Sequence, residues 1–236
     1  MNKVKKISAP SSQGLFTVYQ HCRLCSPGFV DEACYSYYLL RLRYRFSNYG
    51  VLIHAFSLLP DRLYLLVTAP AASSISRLLA SVNDSYSNYF CSRFRRSGKV
   101  WSARPTLTPV RGAQLSLEFQ VLIERMAISA LGLGHPGRHR WSSYCSNAFV
   151  AGGGWLERSW ALRQLVPTVS ASATYRDVVM RRFDADREGW LLSTLHGSSL
   201  GPGRLAGGRS TGAWSRPALP MGGRARAEVR PGSNLD

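Results

Sequence analysis

The chain has 236 residues, of which 45% are hydrophobic and 11% aromatic, enough for one compact domain with a substantial core plus an extension, and too apolar for wholesale disorder. Lys and Arg number 30 against 13 Asp and Glu, a formal net charge of +17, and such a surface attracts polyanions through counterion release without needing base-specific contacts. Nearly all of the cations are Arg, whose planar fork suits phosphate pairing and stacking on bases. No apolar run reaches the roughly 18 residues that a membrane-spanning helix needs. No signal peptide precedes the five scattered cysteines, Cys22, Cys25, Cys34, Cys91 and Cys145, so a reduced, cytoplasmic compartment is expected, and the charge adds the expectation of a DNA-associated protein. His21-Cys22-x-x-Cys25 has the start of a zinc site, but no second pair at ligand spacing follows, which favours structural thiols.

Residues 1–13 carry Lys3, Lys5 and Lys6 ahead of Ser and Pro and read as a flexible basic lead-in. Leu15 to Leu24 alternates as a strand does. The run from Glu32 has apolar residues three and four apart and a helix stop at Gly50, predicting a helix of about four turns. Two apolar runs, 50–59 and 62–69, are broken by Pro60-Asp61 and predict a hairpin. A second long helix, capped by Ser73 or Ser74, should run to an Arg cluster before Gly98. Trp101 to Val110 reads as a short strand or extended return, and 113–131 as a third long helix. This order predicts an α+β, ferredoxin-like architecture with helices on one face of a small antiparallel sheet. One or two further helices are expected between Tyr175 and Leu195. From Gly197 onward Gly, Arg, Pro, Ser and Ala dominate, predicting a disordered tail. The expected organisation is a basic N-terminus over 1–13, a body over 14–145, an extension with short helices over 146–200 and a Gly/Arg-rich tail over 201–236.

Five ordered stretches carry a family resemblance: IHAFSLLPDRLYLLVTAP, SRLLASVNDSYSNYFCSRFRRSGKVWSAR, IERMAISALGLG, RWSSYCSNA and TYRDVVMRRF. Together they resemble the REP-associated tyrosine transposases of the HUH single-strand transposase superfamily, over roughly Gly14 to Gly203. The resemblance implies a ferredoxin-like HUH fold, recognition of hairpin-forming palindromic repeats, and strand cleavage with Mg²⁺ or Mn²⁺ as cofactor. In that family two histidines flanking a hydrophobic residue on a central strand hold the metal. A tyrosine on a later helix attacks the phosphate and leaves a 5′-phosphotyrosine link.

At the histidine positions this chain carries Arg62 and Tyr64, around Leu63, and Asp61 stands where the family usually has Asn. Arg is permanently protonated and a neutral phenol is a poor ligand, so no metal site and no cofactor are expected. Counting back without gaps from Arg140-Trp141-Ser142-Ser143, the nucleophile position falls on Leu122, which has no nucleophilic atom. The catalytic and metal residues are therefore read as lost. Tyr86 and Tyr89, considered as substitute nucleophiles, are better read as core or base-stacking aromatics. His54 is read as a structural histidine.

The binding equipment is read as retained. Arg93, Arg95, Arg96, Lys99 and Arg104, interleaved with Tyr86, Phe90, Phe94 and Trp101, have the pattern that holds single strands by phosphate pairing and base stacking. Arg41, Arg43 and Arg45 along the first helix are read as partly surface charge. The expected partner is single-stranded or hairpin DNA. The rival readings are an active one-tyrosine transposase whose catalytic residues lie elsewhere, and a basic protein for structured RNA.

Overall fold

The computed structural model describes residues 13–23, 27–102, 104–149, 154–159, 162–163, 170–181 and 183–197. The N-terminal lead-in, Cys25 and the Gly/Arg-rich tail from 198 onward lie outside the described residues. The elements in chain order are β1 (Gly14–His21), α1 (Glu32–Arg45), β2 (Leu52–Leu59), β3 (Arg62–Ala69), α2 (Ala72–Phe94), β4 (Thr106–Val110), α3 (Ala113–Leu131), α4 (Tyr144–Ala148), α5 (Ser170–Met180) and α6 (Ala185–Leu195). The four strands form one antiparallel sheet in the order β2-β3-β1-β4. That is the ferredoxin-like α+β arrangement of two interleaved split βαβ units.

Local signals set most boundaries. The Asp31 carboxylate accepts from the Cys34 N–H at 3.0 Å and caps α1. A 3₁₀ turn over Phe46–Tyr49 follows and ends on Gly50 at φ 66°, a left-handed stop that a side chain would strain. Pro60 and Asp61 make a two-residue turn, pairing Leu59 with Arg62. The return at residues 100–102 extends the β1–β4 edge, with Arg23 N–H donating to Val100 O and Ser102 N–H to His21 O.

Two expectations are corrected. Helix α2 begins at Ala72 behind an extended Ala71, and no side chain caps it: Ser73 and Ser74 lie inside the first turn rather than ahead of it. Helices also cover both faces of the sheet, not one. On the first face, Leu63, Leu65 and Val67 of β3 pack with Tyr38 and Leu42 of α1 and with Leu78, Val82 and Tyr86 of α2. On the second, Tyr64 and Leu66 pack with Phe119, Leu122 and Ile123 of α3 and with Leu191 and Leu195 of α6. A strand covered on both sides reads as a continuous apolar run, as β3 does. Its text carries no mark of which helix covers which side.

A bulge between Ile53 and Ala55 interrupts the β2–β3 register at His54. His54 Nδ1 lies 2.8 Å from the Glu157 carbonyl and Nε2 lies 2.7 Å from Thr68 Oγ1, so this buried imidazole is a structural, satisfied one. Three of the stretches singled out in the sequence meet around the fully buried Glu124 of α3. Its carboxylate accepts from Ser143 Oγ at 2.7 Å, Asn147 Nδ2 at 2.6 Å and Tyr175 OH at 2.7 Å. Ser143 and Asn147 tie this knot to β2 through the Phe56 backbone and the His54 carbonyl.

Candidate functional site

The strand alternation of β3 sends Arg62 and Tyr64 to the α3 and α6 side and Leu63 into the opposite core. Arg62 donates to both Asp61 carboxylate oxygens, at 2.9 and 2.6 Å, in a bidentate pair. Burial disfavours the guanidinium charge, but hydrogen bonds to Asp61 and Tyr64 outweigh it and hold the group firmly protonated. Tyr64 is fully buried, and that burial pushes its phenol above the usual tyrosine range, so it stays neutral. Its oxygen lies 3.2 Å from His196 Nε2, and its ring stacks at 5.3 Å on Tyr19 of β1, which in turn meets His196 at 4.4 Å. Leu122 is 1% exposed and belongs to the same buried cluster as Tyr64.

This arrangement does not fit a divalent cation. One member is a guanidinium already bound to a carboxylate, another is a buried neutral phenol, and the third is aliphatic. Among the described residues no group of three His, Cys, Asp or Glu is placed to hold a metal. Cys22, from the weak zinc pattern, is buried, and burial followed by the nearby Asp61 pushes its thiol up to about 12. Tyr19 and His196 were not singled out in the sequence. Tyr19 is legible in retrospect because β1 places it directly opposite Tyr64, whereas nothing in the text brings His196 across 132 positions to Tyr64.

The cationic candidates gather at the C-terminal end of α2. Arg95 occupies the left-handed cap position at φ 50° and projects from the helix end with Arg96, both exposed. Arg96 lies over the Phe90 ring at 6.0 Å, and Arg96, Ser97, Gly98 and Lys99 form one wall of a small cleft against Phe90 and Gly28. Lys99 is 70% exposed, with Asp84 at 3.7 Å, an ion pair that solvent largely screens. Arg93 is exposed too, bound to Asp31 at 2.7 Å and to Tyr89 OH at 2.6 Å. Arg104 is exposed on the approach to β4.

Two of the expected DNA-stacking residues are corrected. Tyr86 is fully buried and Trp101 is 2% exposed. They pack with Phe29 and Tyr38 in an aromatic core, ring centres 5.2–6.1 Å apart, and Tyr86 OH donates to the Gly28 carbonyl. Neither has a ring face to offer a base. Tyr89 and Phe94 are half-exposed and do border the arginines.

No protein-family model and no curated protein matches the chain. Among solved structures it is similar to a REP-associated tyrosine transposase bound to a REP hairpin, with 10% identity and a TM-score of 0.51 over 68% of this chain and 93% of that one. A putative transposase from Deinococcus radiodurans also matches, at 17% identity and a TM-score of 0.35, covering 48% of this chain and 89% of that one. The first of these similarities establishes that the chain has the fold of a REP-associated tyrosine transposase. No helix among the described residues is long and apolar enough to cross a membrane.

Proposed function

We propose that the chain is a transposase-like DNA-binding protein of the HUH type that binds single-stranded or hairpin DNA and has lost strand cleavage. The observation that carries this reading is a contrast within one fold. The Arg-rich end of α2 is open to solvent, while the face carrying Arg62, Tyr64 and Leu122 is closed by an ion pair and a packed apolar cluster. Binding needs cations that can reach phosphates, and Arg93, Arg95, Arg96 and Lys99 supply them. Cleavage by the family's route needs a metal and a nucleophilic oxygen, and neither Arg62, Tyr64 nor Leu122 supplies them. No cofactor is required for binding alone. The cytoplasm, where DNA is reached directly, is the compartment this reading implies.

The test is binding and cleavage of a labelled single-stranded DNA hairpin with Mg²⁺ or Mn²⁺ present. The natural protein should bind in a salt-sensitive way and form no covalent adduct. Arg95→Ala with Arg96→Ala should weaken binding and flatten its dependence on log salt by about one unit for each phosphate left unpaired. A covalent protein–DNA adduct would overturn the inactivity half of the proposal. Undiminished binding by the double variant would overturn the assignment of the α2 end.

A further inference from the structure

A surface continuing from the α2 end onto the outer side of α1 has the chemistry to hold unpaired bases. Tyr37 of α1 and Tyr89 of α2 lie face to face, 4.0 Å apart and 7° from parallel. A guanidinium stands at each end of this pair: Arg41 lies over Tyr37 at 4.9 Å, and Arg93 binds the Tyr89 hydroxyl and lies over Phe94 at 5.3 Å. Two turns along α1 from Tyr37, and so on the same side of the helix about 10 Å away, stands Tyr44, 76% exposed. Leu40, 54% exposed, lies between them. From Tyr37 to Arg45 the helix holds Arg41, Arg43 and Arg45 and no acidic residue.

We infer that this α1–α2 face is a stacking platform for a single-stranded DNA segment, with the exposed Tyr44 receiving a base beside the Tyr37–Tyr89 pair and Arg41, Arg43 and Arg93 receiving phosphates. The inference rests on the DNA-binding reading above and adds the face and the side chains that receive unpaired bases. An exposed aromatic face beside guanidinium groups complements an unstacked base linked to a phosphate. Paired DNA keeps its base faces inside the stack and offers this surface only its phosphates. A protein partner would find Leu40 as the one exposed large aliphatic of α1, among cations, a poor core for an apolar interface.

The experiment uses the full chain and fluorescence anisotropy with labelled oligothymidine and, separately, a blunt duplex. Tyr44→Ala should weaken oligothymidine binding about tenfold, in line with stacking on one aromatic ring. Duplex binding and the salt slope should stay unchanged, and Tyr44→Trp should bind oligothymidine as tightly as the natural protein. Tyr44 is too exposed for its removal to unfold α1; Tyr37→Phe, which keeps the ring, should bind oligothymidine as the natural protein does. Unchanged oligothymidine affinity in Tyr44→Ala, with the natural protein binding well, overturns the platform and leaves the DNA-binding reading standing. Failure of the natural protein to bind either probe overturns both. Tight binding of oligouridine with none of oligothymidine overturns the DNA assignment, and a shift in oligomeric state as the effect of Tyr44→Ala overturns it in favour of a second copy.

Discussion

Replacing Glu124 by Ala should be among the most damaging single substitutions in this chain. The change removes the acceptor for three buried donors. Ser143 Oγ keeps the Phe56 carbonyl at 3.3 Å, and Asn147 Nδ2 keeps the His54 carbonyl at 3.0 Å. The Tyr175 hydroxyl, which already accepts from Gln120 Nε2 at 3.1 Å, is left with no acceptor among the described residues. One fully orphaned buried donor costs about 1–3 kcal/mol and two weakened hydrogen bonds about 1 kcal/mol together. The void left in a closed site adds to this, and relief from holding a carboxyl away from water subtracts. The net loss is about 3 kcal/mol, read as a lower urea midpoint and a fall of about 10 °C in Tm. Glu124→Gln, which keeps the volume and one acceptor, should lose about 1 kcal/mol. Burial raises the Glu124 carboxyl above its ordinary 4.5, against the opposing pull of the Ser143, Tyr175 and Asn147 donors. The folded state therefore binds that proton more tightly than the unfolded state. This group's contribution weakens as pH climbs from 4.5 towards the raised folded value, and Glu124→Gln should remove that slope. An Ala variant within about 0.5 kcal/mol of the natural protein would refute the claim that the knot holds α4 and α5 to the sheet.

The buried histidines should act in the opposite direction. Burial lowers His54 from 6.5 to about 4 and also lowers His139 and His196. Below pH 6.5 the unfolded chain takes up protons that the folded chain resists, so stability should fall as pH drops towards 4, with about 3 kcal/mol from His54. Urea midpoints at about pH 7 and about pH 5 check this, and His54→Gln should flatten the difference. Asp31→Ala removes the α1 cap and frees Arg93 from its carboxylate partner. It should cost about 1 kcal/mol in thermal unfolding while tightening hairpin DNA binding by anisotropy; equal or weaker binding would show that Arg93 takes no part.

Sequence pattern alone determined a great deal here. Charge pointed to a polyanion, and the succession of alternating runs, three-four periodic runs and the Pro60-Asp61, Gly50 and Gly98 signals laid out the strand-helix-strand-strand-helix-strand order. These features are local, because backbone hydrogen bonding and side-chain periodicity act within a few residues. The side chains on which the proposed loss of cleavage rests, Arg62, Tyr64 and Leu122, are likewise read from the sequence. Burial was decided only in three dimensions. Tyr86 and Tyr89 sit three apart on one helix in nearly the same text, yet Tyr86 faces Phe29 and Trp101 in the core while Tyr89 meets Tyr37 at the surface. Periodicity reports which residues share a face, and the partner that covers the face comes from elsewhere in the chain. For the same reason α3 and α6 on the second side of the sheet, the Glu124 knot and the meeting of Tyr64 with His196 are tertiary facts. Each joins groups dozens of positions apart, and they meet only once the intervening chain has folded.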